Sequence, residues 1–312
     1  MTPRRIWKTD VLCVGAATFD MVFGVPHHPD PDEKMTARSF THCGGGPAAN
    51  AAVAIARLSG RAAFGGYLGK DLYGDQHRRE LREEGVCLEL VVRGSAPTPV
   101  SAILVKPDGR RSVSYYHEAT PPLSEGDITL RRVEPSVILF DGHQPLASPP
   151  LAREAQDKGV ATVLDAGSVH PGTIALADQV DYLVCSEKFA RNFTEETELE
   201  AALQKLRECA PIVVITCGER GLLWSRGGES GRMPAFQVDA VDTTGAGDAF
   251  HGALAFCIAV GKDWEFTLRY ASAVAALTCT KLGARPALPT WSEVDDFLTE
   301  NSHSTIHPES DG

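Results

Sequence analysis

The stretch Asp242-Thr243-Thr244-Gly245-Ala246-Gly247-Asp248 sets three small residues directly ahead of an apolar periodic run in which Ala249, Phe250, Ala253, Leu254 and Cys257 share one helical face. That spacing predicts a helix whose first turn is bare backbone. The first N–H groups of a helix have no partner within it, and the macrodipole makes that end partly positive. Gly245, Ala246 and Gly247 therefore offer a cradle for phosphate or a developing phosphoryl charge. Asp248 would stand beside the cradle, where a carboxylate can accept the proton of an attacking hydroxyl. The same dipole would lower the pKa of Asp248, leaving it a weak base that acts by orientation and late proton acceptance. A tight turn followed by a helix-start carboxylate gives the same pattern, so the stretch alone leaves both readings open.

Three other places carry groups able to hold a polyol. Residues 10–18 form a continuous apolar run expected of a buried parallel strand, and Asp20 just beyond it would sit where open α/β sheets bind ligands. Cys43-Gly44-Gly45-Gly46-Pro47-Ala48-Ala49-Asn50 opens an alanine-rich helix, with Gly45 and Gly46 admitting a ligand close to the backbone and Asn50 offering a donor and an acceptor. His143 follows Asp141-Gly142 at a strand end, a place equally suited to a pocket residue or a loop histidine.

The elements that must position these groups alternate. Strands are predicted over 62–68, 136–141, 161–165, 181–185 and 212–216, with helices over 73–84 and 151–158 and one opened by a Thr197/Glu200 capping box. This order indicates a doubly wound, mainly parallel α/β sheet flanked by helices. Short strands over 222–225 and 232–236 precede the central stretch; a helix over 264–280 and one capped by Thr290 and Glu293 follow it. Two excursions, at about 21–43 and 98–118, read as strands of a small β lid, the second turning at Pro107-Asp108-Gly109. The main domain is expected over 10–300, with a disordered polar tail over 301–312.

Composition narrows the classes. The 312 residues are 43% apolar, and 30 Lys+Arg against 41 Asp+Glu leave a net charge of −11, which disfavours nucleic acid as a partner. The eight cysteines form no metal-type grouping and read as core thiols of a reducing compartment, which with no predicted membrane span or secretory signal implies a cytoplasmic protein. Arg4-Arg5 reads as a basic N-terminal tail. Gly15-Ala16-Ala17-Thr18-Phe19-Asp20 lacks the glycines of a dinucleotide fold, and Asp71 stands where a P-loop after Gly65-Gly66-Tyr67-Leu68-Gly69-Lys70 needs Ser or Thr.

The glycine-rich segment leading to Asn50, followed far downstream by Asp-Thr-Thr-Gly-Ala-Gly-Asp, resembles the ribokinase/PfkB family of sugar and nucleoside kinases, over about residues 10–297. The resemblance implies a ribokinase-like fold with ATP, Mg²⁺ and a small-molecule sugar. It makes Asp248 the catalytic base and the backbone of Gly245, Ala246 and Gly247 the anion hole, with Asp20, Gly45, Gly46 and Asn50 on the sugar hydroxyls. Thr216-Cys217-Gly218-Glu219-Arg220-Gly221 matches the nucleotide loop, giving Thr216, Gly218 and Gly221 to ATP. Asp242 and Thr244, with backbone carbonyls around Thr278, Lys281 and Gly283, match a monovalent-cation site, where K⁺ would bind. The family's Asn-x-x-Glu is replaced by Ser186-Glu187-Lys188-Phe189. Ser186 takes the Asn position only in part, and Glu187 is either the magnesium-organising acid, acting through water, or a first-turn helix carboxylate.

Within the family, the segments around Gly44, His251 and Gly283-Ala284-Arg285 look most like sulfofructose kinases, with ketohexokinases as cousins, which implies a ketohexose acceptor. Lys34 in the lid matches a sulfosugar-binding position, whereas Tyr115 and His143 stand where those kinases carry Asn and Arg. Lys34 and a protonated His143 would be left to hold an anion. The alternatives are a nucleoside kinase of the adenosine type and a non-catalytic sugar or nucleotide sensor. Exposed lid edges point to a homodimer.

Overall fold

A computed structural model describes residues 6–301 and 307–308, so Arg4-Arg5 and most of the tail beyond Asn301 lie outside the described residues. The first strand, β1 (Trp7–Val14), sends Val11 and Cys13 to one face of the main sheet and Leu12 and Val14 to the other, and both faces are covered. The chain then leaves this sheet through β2 (Thr18–Gly24) and β3 (Ser39–Gly45). It returns through α1 (Pro47–Arg57), β4 (Ala62–Gly69), α2 (Leu72–Glu83) and β5 (Cys87–Gly94), and leaves again as the hairpin β6 (Val100–Val105) and β7 (Arg111–Tyr116). The second half runs β8 (Val133–Phe140), α3 (Ser148–Asp157), β9 (Ala161–Ala166), α4 (Pro171–Leu176), β10 (Tyr182–Ser186), α5 (Glu187–Thr194), α6 (Leu199–Leu206) and β11 (Ile212–Thr216). It closes with β12 (Leu222–Arg226), β13 (Glu229–Met233), α7 (Ala246–Ala259), α8 (Trp264–Thr278), α9 (Ala284–Ala287), α10 (Trp291–Glu300) and β14 (His307–Pro308).

The main sheet has the order β14-β13-β12-β11-β10-β9-β8-β1-β4-β5, parallel from β11 to β5 and antiparallel beyond β11. Chain direction across the sheet reverses between β1 and β8, and ligands of open α/β sheets bind at the carboxyl ends of strands at such a point. One face is covered by α1, α7 and α8, whose small residues pack closely, and the other by α3, α5 and α6. β3-β2-β6-β7 form the separate four-stranded lid. The Pro107-Asp108-Gly109 turn is present with Gly109 at φ 76, and Asp108 accepts hydrogen bonds from Lys106 and Arg110. No helix among the described residues is long and apolar enough to cross a membrane.

Several expected boundaries move. The strand expected over 10–18 stops at Val14, because the Ala16 N–H turns out of the ladder to donate to Asp141 Oδ2 at 2.8 Å. Asp20 therefore lies in the lid strand β2 rather than past the first core strand. The Thr197/Glu200 box is not formed; α6 starts after Glu198 with no side-chain cap. The strand expected over 232–236 is shifted to Glu229–Met233 by its register with β12. β5, α4 and α9 are additional. The Thr290/Glu293 capping box is present.

Gly46 caps α1 at φ 95, and a Cβ there would meet Ala16 O at 2.6 Å. Gly46→Ala is expected to cost about 1–3 kcal/mol in urea unfolding, since the strained conformation and the backbone clash act together. An unchanged midpoint would show that the turn at Ala16 yields freely.

Candidate active site

α7 starts from a left-handed residue. Gly245 is its N-cap at φ 80, and a Cβ there would stand 2.7 Å from the Ala284 methyl. The first helical bond runs from Ala249 N–H to Gly245 O at 2.9 Å, while Ala246 N–H reaches Thr243 O at 3.3 Å. The N–H groups of Gly247 and Asp248 precede that first bond and have no partner inside the helix. Gly247 is exposed, with open space where a side chain would be. The cradle expected from the sequence is formed, and it opens outward.

Asp248 is half-buried beside it. Asn50 Nδ2 donates to Asp248 Oδ2 at 2.8 Å, tying the second turn of α1 to the first turn of α7. Burial, with Asp165 and Asp141 facing it, pushes the Asp248 carboxyl up to about 6, against the opposite pull of the Asn50 bond and His251. The expectation of a lowered pKa is thus overturned. A helix end carries only a fraction of a charge, and it is outweighed by desolvation and two neighbouring carboxylates. Asp248 is a stronger base than an ordinary carboxylate and is still mostly ionised at neutral pH.

The glycines ahead of α1 serve neighbours more than ligands. A Cβ on Gly44 would lie 2.2 Å from Arg285 Nη1, and one on Gly45 would lie 2.0 Å from Asp20 Oδ2. Asp20 is buried and accepts Thr18 Oγ1 at 2.7 Å; burial raises its pKa. At the ends of β8 and β9 stand Asp141 and Asp165, both buried. His143 is exposed at the rim, its ring stacked on His170 at 4.8 Å, and its N–H donates to Asp141 Oδ1. His251 Nδ1 lies 2.6 Å from Gly247 O and 3.3 Å from Asp165 Oδ2, so this ring braces the cradle from behind. Burial raises Asp165 to about 7.

Contacts gather Asp20, Gly45, Gly46, Asn50, His143 and Asp248 at a candidate cleft: a Cβ on Gly45 would touch Asp20, Asn50 meets Asp248, and Asp141 binds both the start of α1 and His143. Lys34 is not among the contacts of that cleft and lies exposed in the loop between β2 and β3. The lid touches the other end: Arg111 Nη1 donates to Thr243 Oγ1 at 3.1 Å, just before the cradle.

The residues matched to a nucleotide site lie at the carboxyl ends of β10 and β11, where Ser186 and Thr216 are register partners. Gly218 and Gly221, at φ 59 and 86, make the tight turn into β12, and a Cβ on Gly221 would meet Met233 O at 2.0 Å. Ser186 caps α5 by accepting Phe189 N–H and also donates to Gly167 O. Glu187 does not fit a magnesium role: Oε1 takes Arg191 at 2.9 Å and Oε2 takes Arg220, which leaves it a first-turn helix carboxylate in two ion pairs. Among the described residues no group of three or more His, Cys, Asp or Glu could hold a metal ion.

The residues matched to a monovalent-cation site divide. Asp242 is buried, with Oδ1 accepting Thr244 N–H and Oγ1 and Oδ2 accepting Gly283 N–H at 2.8 Å, so these three meet. The side chains of Lys281 and Thr278 are engaged elsewhere, with Glu293 at 3.0 Å and with Val274 O, which leaves their carbonyls as the groups matched to that site.

A model described as "pfkB family carbohydrate kinase" matches residues 8–291. The chain belongs to the pfkB family of carbohydrate kinases. It is 29% identical to ribokinase of Haemophilus influenzae, over 93% of this chain and 99% of that one. It is 31% identical to probable fructokinase-4 of Arabidopsis thaliana, over 85% and 90%. The structure of Arabidopsis thaliana ribokinase complexed with ribose and ATP superposes with a TM-score of 0.82 at 27% identity, over 93% of this chain and 99% of that one. This kinase is therefore a phosphotransferase with a hydroxyl acceptor, on the fold expected from its sequence.

Four neighbours of these residues, Asp141, Asp165, His77 and Glu80, are not among the candidates the sequence offers, and Arg285 is there only as part of the Gly283-Ala284-Arg285 segment. Asp141 and Asp165 each close an apolar strand run, the same signal that picked out Asp20. The other three carry no such local mark.

The free kinase is expected to lose kcat/KM as pH falls through about 6, because protonated Asp248 cannot accept the hydroxyl proton. An acid limb at the ordinary carboxylate range, near 4, would place Asp248 in open solvent. A pKa raised on folding favours the fold at low pH, and that contribution is lost as pH rises through about 6. Asp248→Asn should therefore melt above wild type at pH 8, with the gap closing at pH 4.

Proposed function

We propose that this chain transfers the γ-phosphoryl group of ATP to a hydroxyl of a small sugar, with Asp248 as general base. The observation that supports it most is the placement of Asp248 at the mouth of an uncapped helix start, held by Asn50 from the sugar side. The acceptor would lie under the lid against Asp20 and Asn50, with its reacting hydroxyl facing Asp248. The Gly245, Ala246 and Gly247 cradle would meet the charge that develops on the transferring phosphoryl oxygens. Lid contacts such as Arg111 to Thr243 would exclude water from that step. The nucleotide would lie along Ser186, Thr216, Gly218 and Gly221. Magnesium would neutralise phosphate charge and arrive on the nucleotide, since Glu187 is already paired.

The acceptor we propose is a ketohexose in furanose form. Fructokinases among the relatives support that class, and ribokinases among them make ribose its nearest competitor. A sulfonated ketohexose is the finer alternative: an anion would have His143 at the rim, without the bidentate fork of an arginine. Tyr115, stacked on His117 at the cleft, is the feature that favours a nucleoside instead. We also propose pairing of two chains through the lid. β7 is an edge strand with all six residues exposed, Val113, Tyr115 and Tyr116 among them.

The deciding measurement is ADP release with fructose, sulfofructose, ribose, keto-deoxy acids and adenosine, with and without potassium. Fructose-type acceptors should turn over fastest. Asp248→Asn should lose at least about two orders of magnitude in kcat with little change in KM for the sugar. Near-normal turnover in that variant would remove Asp248 from the base role. By light scattering the protein should run as a dimer, and Val113→Lys should shift it toward monomer; a monomeric wild type refutes lid pairing.

A further inference from the structure

Among the described residues, Arg285 is the one arginine or lysine that is buried, at 4% exposure, and it lies directly behind the cleft. Its guanidinium has partners on two elements. Nη2 meets His77 Nε2 at 2.5 Å and Nη1 meets Glu80 Oε2 at 3.3 Å, both from α2. Nε donates to Asn50 Oδ1 at 3.1 Å, on α1. Burial holds His77 well below the usual imidazole range, so its ring is neutral and can accept. Glu80 Oε2 also takes the Gly44 N–H at 2.6 Å, and Gly44 has no room for a side chain because Arg285 fills that space. The segment carrying Arg285 is clamped in turn, since Arg57 Nη1 donates to the carbonyls of Arg285 and Leu288.

A guanidinium has only donors and an ionised carboxylate has only acceptors. Asn50 stands between one of each, so its amide has a single self-consistent orientation: oxygen toward Arg285, NH₂ toward Asp248 Oδ2. Reversal would turn two good contacts into two repulsive ones. Without Arg285, nothing on that side would prefer the oxygen. We propose that Arg285 is a positioning residue for the phosphoryl transfer: it orients the Asn50 amide, which holds Asp248 Oδ2 and leaves Oδ1 for the acceptor hydroxyl. This rests on the reading of Asp248 as base. The charged or titratable groups facing Arg285 are His77, Glu80, Glu84, Asp20 and Cys43; those facing Asp248 are Asp165, Asp141 and His251.

The test uses the full chain, with Arg285→Gln, Arg285→Lys and Glu80→Gln. Two quantities are read: the midpoint of Asp248 from carboxyl ¹³C NMR in the ligand-free protein, and kcat with the acceptor that gives the fastest ADP release. A freed Asn50 amide no longer donates steadily to Asp248, so Arg285→Gln should raise that midpoint and lower kcat about tenfold, as for loss of a hydrogen bond to a charged group. Lysine, again donor only, should restore most of both. A folded Arg285→Gln protein with an unmoved Asp248 midpoint, whatever its melting temperature, overturns the proposal. Should that variant not fold, Glu80→Gln decides, since it loosens the guanidinium from behind: a smaller upward shift supports the proposal and none overturns it. The NMR arm stays readable even if no acceptor turns over, so failure of the kinase reading and failure of this one are distinguishable.

Discussion

The carboxylate of Asp141 is the constraint on which the cleft depends. Oδ2 accepts the N–H of Ala16 at 2.8 Å and of Ala48 at 3.1 Å, while Oδ1 accepts the N–H of His143 at 2.9 Å. One side chain thus ties together the end of β1, the start of α1 and the loop after β8, at the point where the sheet reverses its order. A buried carboxylate needs such donors, since leaving it unpaired would cost several kcal/mol. The same contact sends the chain out of the main sheet at Gly15, where a Cβ would lie 2.0 Å from the Asp141 oxygens. The lid begins where it does because the backbone is used there to hold this charge.

Around that anchor the site balances negative charge more than positive. Asp20, Asp141, Asp165 and Asp248 approach the cleft from β2, β8, β9 and α7, and burial raises Asp20, Asp165 and Asp248. Against them stand the backbone donors of α7 and the buried Arg285. The consequence for chemistry is specific. Burial, with crowded carboxylates beside it, makes Asp248 a better proton acceptor than its place at a helix start alone would allow, and the N–H groups of the same turn that lack helical partners would attract an anion. A base and an anion site would ordinarily oppose each other electrostatically. Here the carboxylate is held by Asn50, while Gly247 in the same turn is exposed.

Much of this was legible before any coordinates. Alternating apolar runs gave the parallel sheet, because strands buried on both faces must be continuously hydrophobic. Asp108-Gly109 gave the lid hairpin, because that turn needs a residue able to take positive φ. Three small residues before an apolar helix gave the open cradle. The misreadings were of contacts made over long sequence separation. Gly15-Ala16-Ala17 is as apolar as a strand and extends the expected run to residue 18, and only Asp141, far along the chain, ends it at Val14. For Glu187 the sequence leaves two roles open, and its ion pairs with Arg191 and with Arg220 from the next loop favour the helix-start carboxylate.

By itself the sequence determined the architecture, a helix start bare of side chains and the acid that follows it, since each depends on local periodicity, on the absence of side chains or on a single acid at a helix start. Tertiary structure alone decided how basic that acid is and what the Asn50 amide beside it touches. The basicity comes from burial and the Asp165 and Asp141 carboxylates, and the amide's setting from the Arg285 guanidinium, groups brought within range from separate elements. Electrostatic energy depends on distance and burial in three dimensions, and no spacing along a chain records either.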